Sequence, residues 1–154
     1  MRYSTKKTIR TWIFSILLLG VLALQTFQVD KTNPKVNPPD KFSSIENTKS
    51  NYARTLRAAC YDCHSNETVY PMYTYVVPVG QWIKGHVVNG RKKVNFSTWG
   101  KYTQEERNEM LKESAEEIKE GHMPILFYTW LHKKAKLTDN NRKRLAEWLE
   151  SLRK

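Results

Sequence analysis

The only two cysteines of this 154-residue chain fall within Cys60-Tyr61-Asp62-Cys63-His64, and no other feature constrains so tightly what the chain can fold around. C-x-x-C-H is the arrangement of covalent haem attachment. Two thiols separated by two residues can each add to one vinyl group on a haem edge, and the adjoining histidine is carried to the iron as proximal ligand. The motif therefore predicts one covalently bound haem of the c type, tethered by Cys60 and Cys63 and ligated by His64. Three rival chemistries fit the sequence less well. A disulfide between Cys60 and Cys63 would close a loop too short to staple much. A thioredoxin-like thiol pair calls for a preceding strand in a βαβ pattern, which the sequence lacks. A zinc site held by Cys60, Cys63 and His64 lacks the usual second pair of ligands at short spacing.

A sixth iron ligand is the next requirement of an electron-transfer site, and a methionine thioether raises the reduction potential relative to a second histidine. Met123 is the leading choice, because it follows Gly121-His122 and precedes Pro124, in a loop where a stiff backbone can present its sulfur. His86, His122 and His132 are the alternatives, with His86 first among them. Met72 stands only eight residues from His64, which leaves little chain to travel round the macrocycle. Met110 reads as one of the apolar residues of a helix face.

The N-terminal region sets the topology. Thr11 through Val29 holds 19 residues without Asp, Glu, Lys or Arg, enough to cross a bilayer that needs roughly 17–25. Arg2, Lys6, Lys7 and Arg10 precede the run and Asp30 follows it, so the positive-inside rule predicts a cytoplasmic N-terminus and an exported remainder. The small-residue pattern of a cleaved signal peptide is missing near Leu22 to Phe27, which favours an uncleaved anchor. Residues 1–29 thus read as leader and signal anchor, 30–41 with three prolines as a semi-stiff linker, and 42–154 as one haem-binding domain.

Within that domain strand alternation is nearly absent, and helical periodicity dominates. Ser44 is expected to cap a first helix carrying Ile45, Tyr52, Leu56 and Ala59 into the cysteine motif. Thr68 to Trp99, dense in aromatics, Pro and Gly, reads as loops around a short helix. Thr103 with Glu106 forms a capping box for a helix with Met110, Leu111, Ala115 and Ile118 on one face, ending at Gly121. A last helix starts at Thr138 and buries Leu145, Trp148, Leu149 and Leu152.

The motif and the residues after it resemble a bacterial haem-binding domain family of c-type cytochromes. The likeness is carried by Cys60 to Thr68, Tyr70-Pro71-Met72-Tyr73, Val77-Pro78-Val79, His86-Val87, Gly90-Arg91, Asn95-Phe96-Ser97 with Trp99, and Gly121-His122-Met123-Pro124. Tyr70 and Met72 stand where the family tends to have tryptophan, and Ile125 replaces a second proline. The resemblance implies an all-α fold like that of small cytochromes c, preceded by a single transmembrane helix, in which the first and last helices pack together around one haem. It also implies His64 as proximal and Met123 as distal ligand. Arg91 could reach a haem propionate, since a guanidinium fork suits carboxylates.

The functional expectation is a mono-haem cytochrome in a bacterial cytoplasmic membrane, its soluble domain on the external side, passing single electrons between redox partners. The alternative is a haem-based sensor whose weakly held distal site binds a small gas. No acid-base constellation for an enzyme is visible. The formal net charge of +11 is partly that of the leader. From Phe42 onward 19 Lys and Arg face 13 Asp and Glu, a net of +6 that favours acidic protein partners. The basic residues are scattered and carry no nucleic-acid-binding motif.

Overall fold

Every regular element among the described residues is helical, in keeping with the all-α expectation. The computed structural model describes residues 3–46, 48 and 51–154, with side chains from Lys6 onward. The elements are α1 (Tyr3–Leu24), α2 (Phe42–Ile45), α3 (Asn51–His64), α4 (Val79–Lys93), α5 (Gln104–Glu120), α6 (Leu126–Leu131) and α7 (Asp139–Ser151), joined by loops and four 3₁₀ turns. The chain divides into two compact units, one of Met1–Lys31 and Tyr70–Gly85, the other of Thr32–Val69 and His86–Lys154.

In the first unit α1 contains Lys6–Leu24, 19 residues of mean hydropathy 1.6, none of them buried. A helix apolar on all sides and that long is able to cross a membrane. The companion segment holds a 3₁₀ turn at Met72–Tyr75 and the start of α4.

The second unit is built on α5 and α7. Thr103 caps α5 by accepting from the Glu106 N–H at 3.2 Å, while the Glu106 carboxylate accepts from the Thr103 N–H at 2.8 Å. Gly121 ends that helix at φ +85°, the left-handed conformation that favours glycine. Thr138 caps α7 by accepting from the Asn141 N–H. The two helices bury Leu111, Ala115 and Ile118 against Leu145, Ala146 and Leu149. Around them Phe42 meets Trp99 at 5.1 Å and Phe96 at 5.2 Å, edge to face, and the Trp99 indole donates to Glu46. Tyr52 on α3 and Trp148 on α7 lie 6.3 Å apart, so the helix leading to the motif does pack on the last helix.

Two sequence expectations are corrected. The helix expected from a Ser44 cap is two pieces: Ser44 lies inside the four-residue α2, and its hydroxyl donates to Pro38 O at 2.7 Å instead of capping α3. The short helix expected between Thr68 and Trp99 is the 15-residue α4, which runs through Gly80, Gly85 and Gly90. The proline-rich stretch carries no helix or strand up to a 3₁₀ turn at Pro38–Asp40. From Thr32 it belongs to the second unit, where Asn33 donates to Thr68 O at 2.8 Å.

Candidate functional site

Cys60, Cys63 and His64 occupy the last turn of α3, so both thiols and the imidazole leave one helix end within five residues. Both cysteines are free thiols and half-buried. Burial, then the proximity of Cys63, pushes the Cys60 thiol up to about 12, and burial together with Asp62 pushes Cys63 up to about 11. A reactive thiol pair of the thioredoxin kind needs an environment that stabilises thiolate, and this one does the reverse.

The His64 ring is fixed from behind. Its Nδ1 lies 3.0 Å from Gly90 O and 3.3 Å from Val94 O. Both partners are carbonyls, which only accept, so Nδ1 carries the proton and Nε2 keeps its lone pair. Burial pushes the imidazole pKa below its ordinary value, with the two carbonyls opposing the shift. The neutral, Nδ1-protonated tautomer is the form that ligates a metal through Nε2.

Those carbonyls are in reach because α4 crosses the end of α3 at Gly90. A Cβ there would stand 2.7 Å from Cys63 O and 3.1 Å from Cys63 C. Only glycine allows the approach, which explains Gly90 without any turn. The loop after the motif is equally tied down: Asp62 accepts from the Val69 N–H at 3.1 Å, and the Ser65 hydroxyl donates to Tyr61 O. Arg91 is occupied here, donating to Ser65 O at 2.7 Å, Asn33 Oδ1 at 2.7 Å and Thr68 Oγ1 at 2.9 Å. In this structure its guanidinium braces the motif loop.

Two cavities open beside this turn. The larger, about 440 Å³, is lined by Leu56, Cys60, His64, Phe96, Met110 and Met123 among others. The smaller, about 180 Å³, takes in Cys63, His64, His86, Met123, Pro124 and Tyr128. Each holds one cysteine of the motif, and His64 and Met123 border both. Met123 is held by its backbone: its N–H donates to Glu117 O at 3.1 Å, and Arg142 of α7 donates to both Ile118 O and Met123 O at 2.6 Å.

The other sequence candidates separate on this geometry. His86 lines the smaller cavity. His122 borders neither cavity; it is exposed and lies 3.4 Å from Glu117 and 3.3 Å from Glu120. His132 also borders neither, stacking on Tyr128 at 4.1 Å. Met72 is exposed, in the first unit. Sequence reasoning missed Lys93, which borders both cavities, Tyr128, whose hydroxyl donates to Asp62 at 2.8 Å, and Arg142. Nothing local in the sequence marks Arg142, whose partners are carbonyls brought to it by the fold.

A haem suits this arrangement. Two thiols leave one helix end, a neutral imidazole offers Nε2, and two cavities flank both with a thioether on their shared border, the smaller mostly apolar and the larger walled by apolar residues and edged by Lys93, Glu113, Glu116, Glu117 and Glu120. The sequence model of a haem-binding domain family matches residues 19–151. No curated protein and no solved structure matches the chain.

Proposed function

Because this chain belongs to the haem-binding domain family, we propose that it is a mono-haem c-type cytochrome, anchored in a bacterial cytoplasmic membrane by α1 with its haem domain outside, and that it carries single electrons. The observation that carries the reading is the placement of His64 and Met123 on the border of both cavities, each of which also receives one cysteine of the motif. Cys60 and Cys63 tether the haem and His64 and Met123 ligate its iron. When bound, the haem supplies a reversible one-electron change at that iron.

The chain's own residues do the rest. Gly90 and Val94 carbonyls hold the imidazole in one tautomer and orientation, and Arg142 holds the methionine loop. Leu56, Phe96, Met110 and Ile118 give the larger cavity an apolar wall, and such surroundings together with ligand identity tune a haem's potential. The net charge of +6 beyond residue 41 favours an acidic redox partner met in brief, salt-sensitive encounters. The chain then acts as a carrier, with no catalytic residue of its own.

The test is electron exchange. The haem-loaded chain, reduced and mixed with a soluble one-electron oxidant such as ferricyanide, should reoxidise fully and cycle repeatedly with no bound gas. A reduced haem that exchanges electrons with no mediator, yet takes up carbon monoxide promptly, would replace the carrier reading by the ligand-binding one.

A further inference from the structure

The first unit fastens a second stretch of chain to the residues that leave α1. Gln25, next after α1, engages Val77 with both ends of its amide: Oε1 accepts from the Val77 N–H at 3.0 Å and Nε2 donates to Val77 O at 3.4 Å. Gln28 donates to Tyr75 O at 3.0 Å, and Gln81 donates to Phe27 O at 2.5 Å. Lys31 lies 4.0 Å over the Tyr75 ring. Gly80 admits the close fold of this segment, since a Cβ there would run into Thr74 O and touch Val29.

The fastened stretch has the composition of a membrane interface. From Tyr70 to Gly85 there is no acidic residue, and Lys84 is the one charged side chain. Met72 (86% exposed), Tyr75, Val76 and Trp82 stay on the surface of the described chain, as does Phe27. An ordinary soluble surface seldom gathers so many large apolar groups, whereas aromatic rings with flanking lysines are what the headgroup layer selects.

We propose that Tyr70–Gly85 is an interfacial collar that lies in the headgroup layer of the same bilayer that α1 crosses, with Gln25 and Gln28 as the clamps that hold it there. The proposal rests on the reading of α1 as a membrane span. The occupant is lipid because the clamp ties the collar to Gln25–Gln28, among the last uncharged residues of the chain before Asp30 and the first to follow α1, within a few residues of chain reach of the helix end, on the order of 3.3 Å each. Amphipathic rings and apolar side chains at that level gain by partial burial among lipid, and Lys31 over Tyr75 and Lys84 over Tyr70 add positive charge beside the rings, where anionic headgroups favour it.

The test uses the full haem-loaded chain in nanodiscs of phosphatidylethanolamine and phosphatidylglycerol. A photoreactive benzoylphenylalanine is placed in turn at Val76, at Trp82 and, as an exposed control in the second unit, at Glu109 of α5, and adducts are read by mass spectrometry. Lipid adducts should form several-fold more at 76 and 82 than at 109, and should fall several-fold when Gln25→Ala and Gln28→Ala are combined. Adducts at 76 and 82 no more frequent than at 109, with the chain still disc-bound, overturn the collar and leave the span intact. Adducts with copurifying protein in place of lipid overturn it equally. A chain that fails to enter discs at all overturns the span and the collar together.

Discussion

His64 shows how much of the site is decided by one ring nitrogen. Two carbonyl acceptors behind Nδ1 fix the tautomer, and burial favours the neutral imidazole, so Nε2 keeps the lone pair that the proposed ligation needs. Met123 has no comparable grip on its side chain; its backbone is what Arg142 and Glu117 hold. Replacing Met123 by alanine should therefore leave the fold and the covalent haem in place while opening the sixth position. Carbon monoxide should then bind the reduced variant promptly and the parent hardly at all, as followed by Soret absorbance. Equal carbon monoxide uptake by both would remove Met123 from the ligand set.

Glu67 gives a pH signature at the same scale. Burial alone would raise its carboxyl, but the hydrogen bond from Lys41 at 2.9 Å and the charge of Arg57 outweigh it, and the group lies below its ordinary value. A lowered folded pKa means that its stabilisation is fully present above the ordinary carboxylate range and is lost as pH falls through the folded value. Glu67→Gln should cost up to about 1 kcal/mol at neutral pH, since the ion pairs are partly exposed. Urea denaturation of both proteins across acid pH should show that difference closing as the carboxyl titrates.

At the scale of elements, helix ends were legible in the sequence where a side chain makes the end. Thr103 with Glu106, Gly121 and Thr138 mark their boundaries chemically, and the structure uses each of them as read. Helix α4 was not legible, because Gly80, Gly85 and Gly90 carry the signature of loops while at two of these positions the packing forbids a Cβ. Tertiary approach overrides propensity there, and no periodicity announces it. Ser44 misled for the opposite reason: a good capping residue spends its hydroxyl on Pro38. Gly90→Ala is predicted to cost about 1–3 kcal/mol through forced separation of α3 and α4. The same separation should draw Gly90 O away from His64, so the variant should also show an altered iron-ligand spectrum, which a purely global loss of stability would not produce.

Across the whole molecule, the five residues from Cys60 to His64 made the cofactor legible, and the family match over residues 19–151 agrees with that reading. The sequence also indicated a helix able to cross a membrane and a helical domain after it. It did not show that residues 70–85 return to the end of α1, because those contacts are backbone carbonyls and amides met by Gln25, Gln28 and Gln81. It did not show the two cavities either, since their lining comes from α3, α4, the segment after it with Phe96, α5, the Met123 loop and Tyr128 of α6, which only the fold brings together.

The central claim is covalent haem on the Cys60–Cys63 pair, and intact mass under denaturing conditions tests it most directly. Expressed in a cell that exports the chain and matures c-type cytochromes, the protein should gain the mass of one haem, and Cys60→Ser with Cys63→Ser should abolish the gain. An unmodified mass from a host whose maturation machinery loads other cytochromes would contradict the account and return the two thiols to the status of a metal or redox pair.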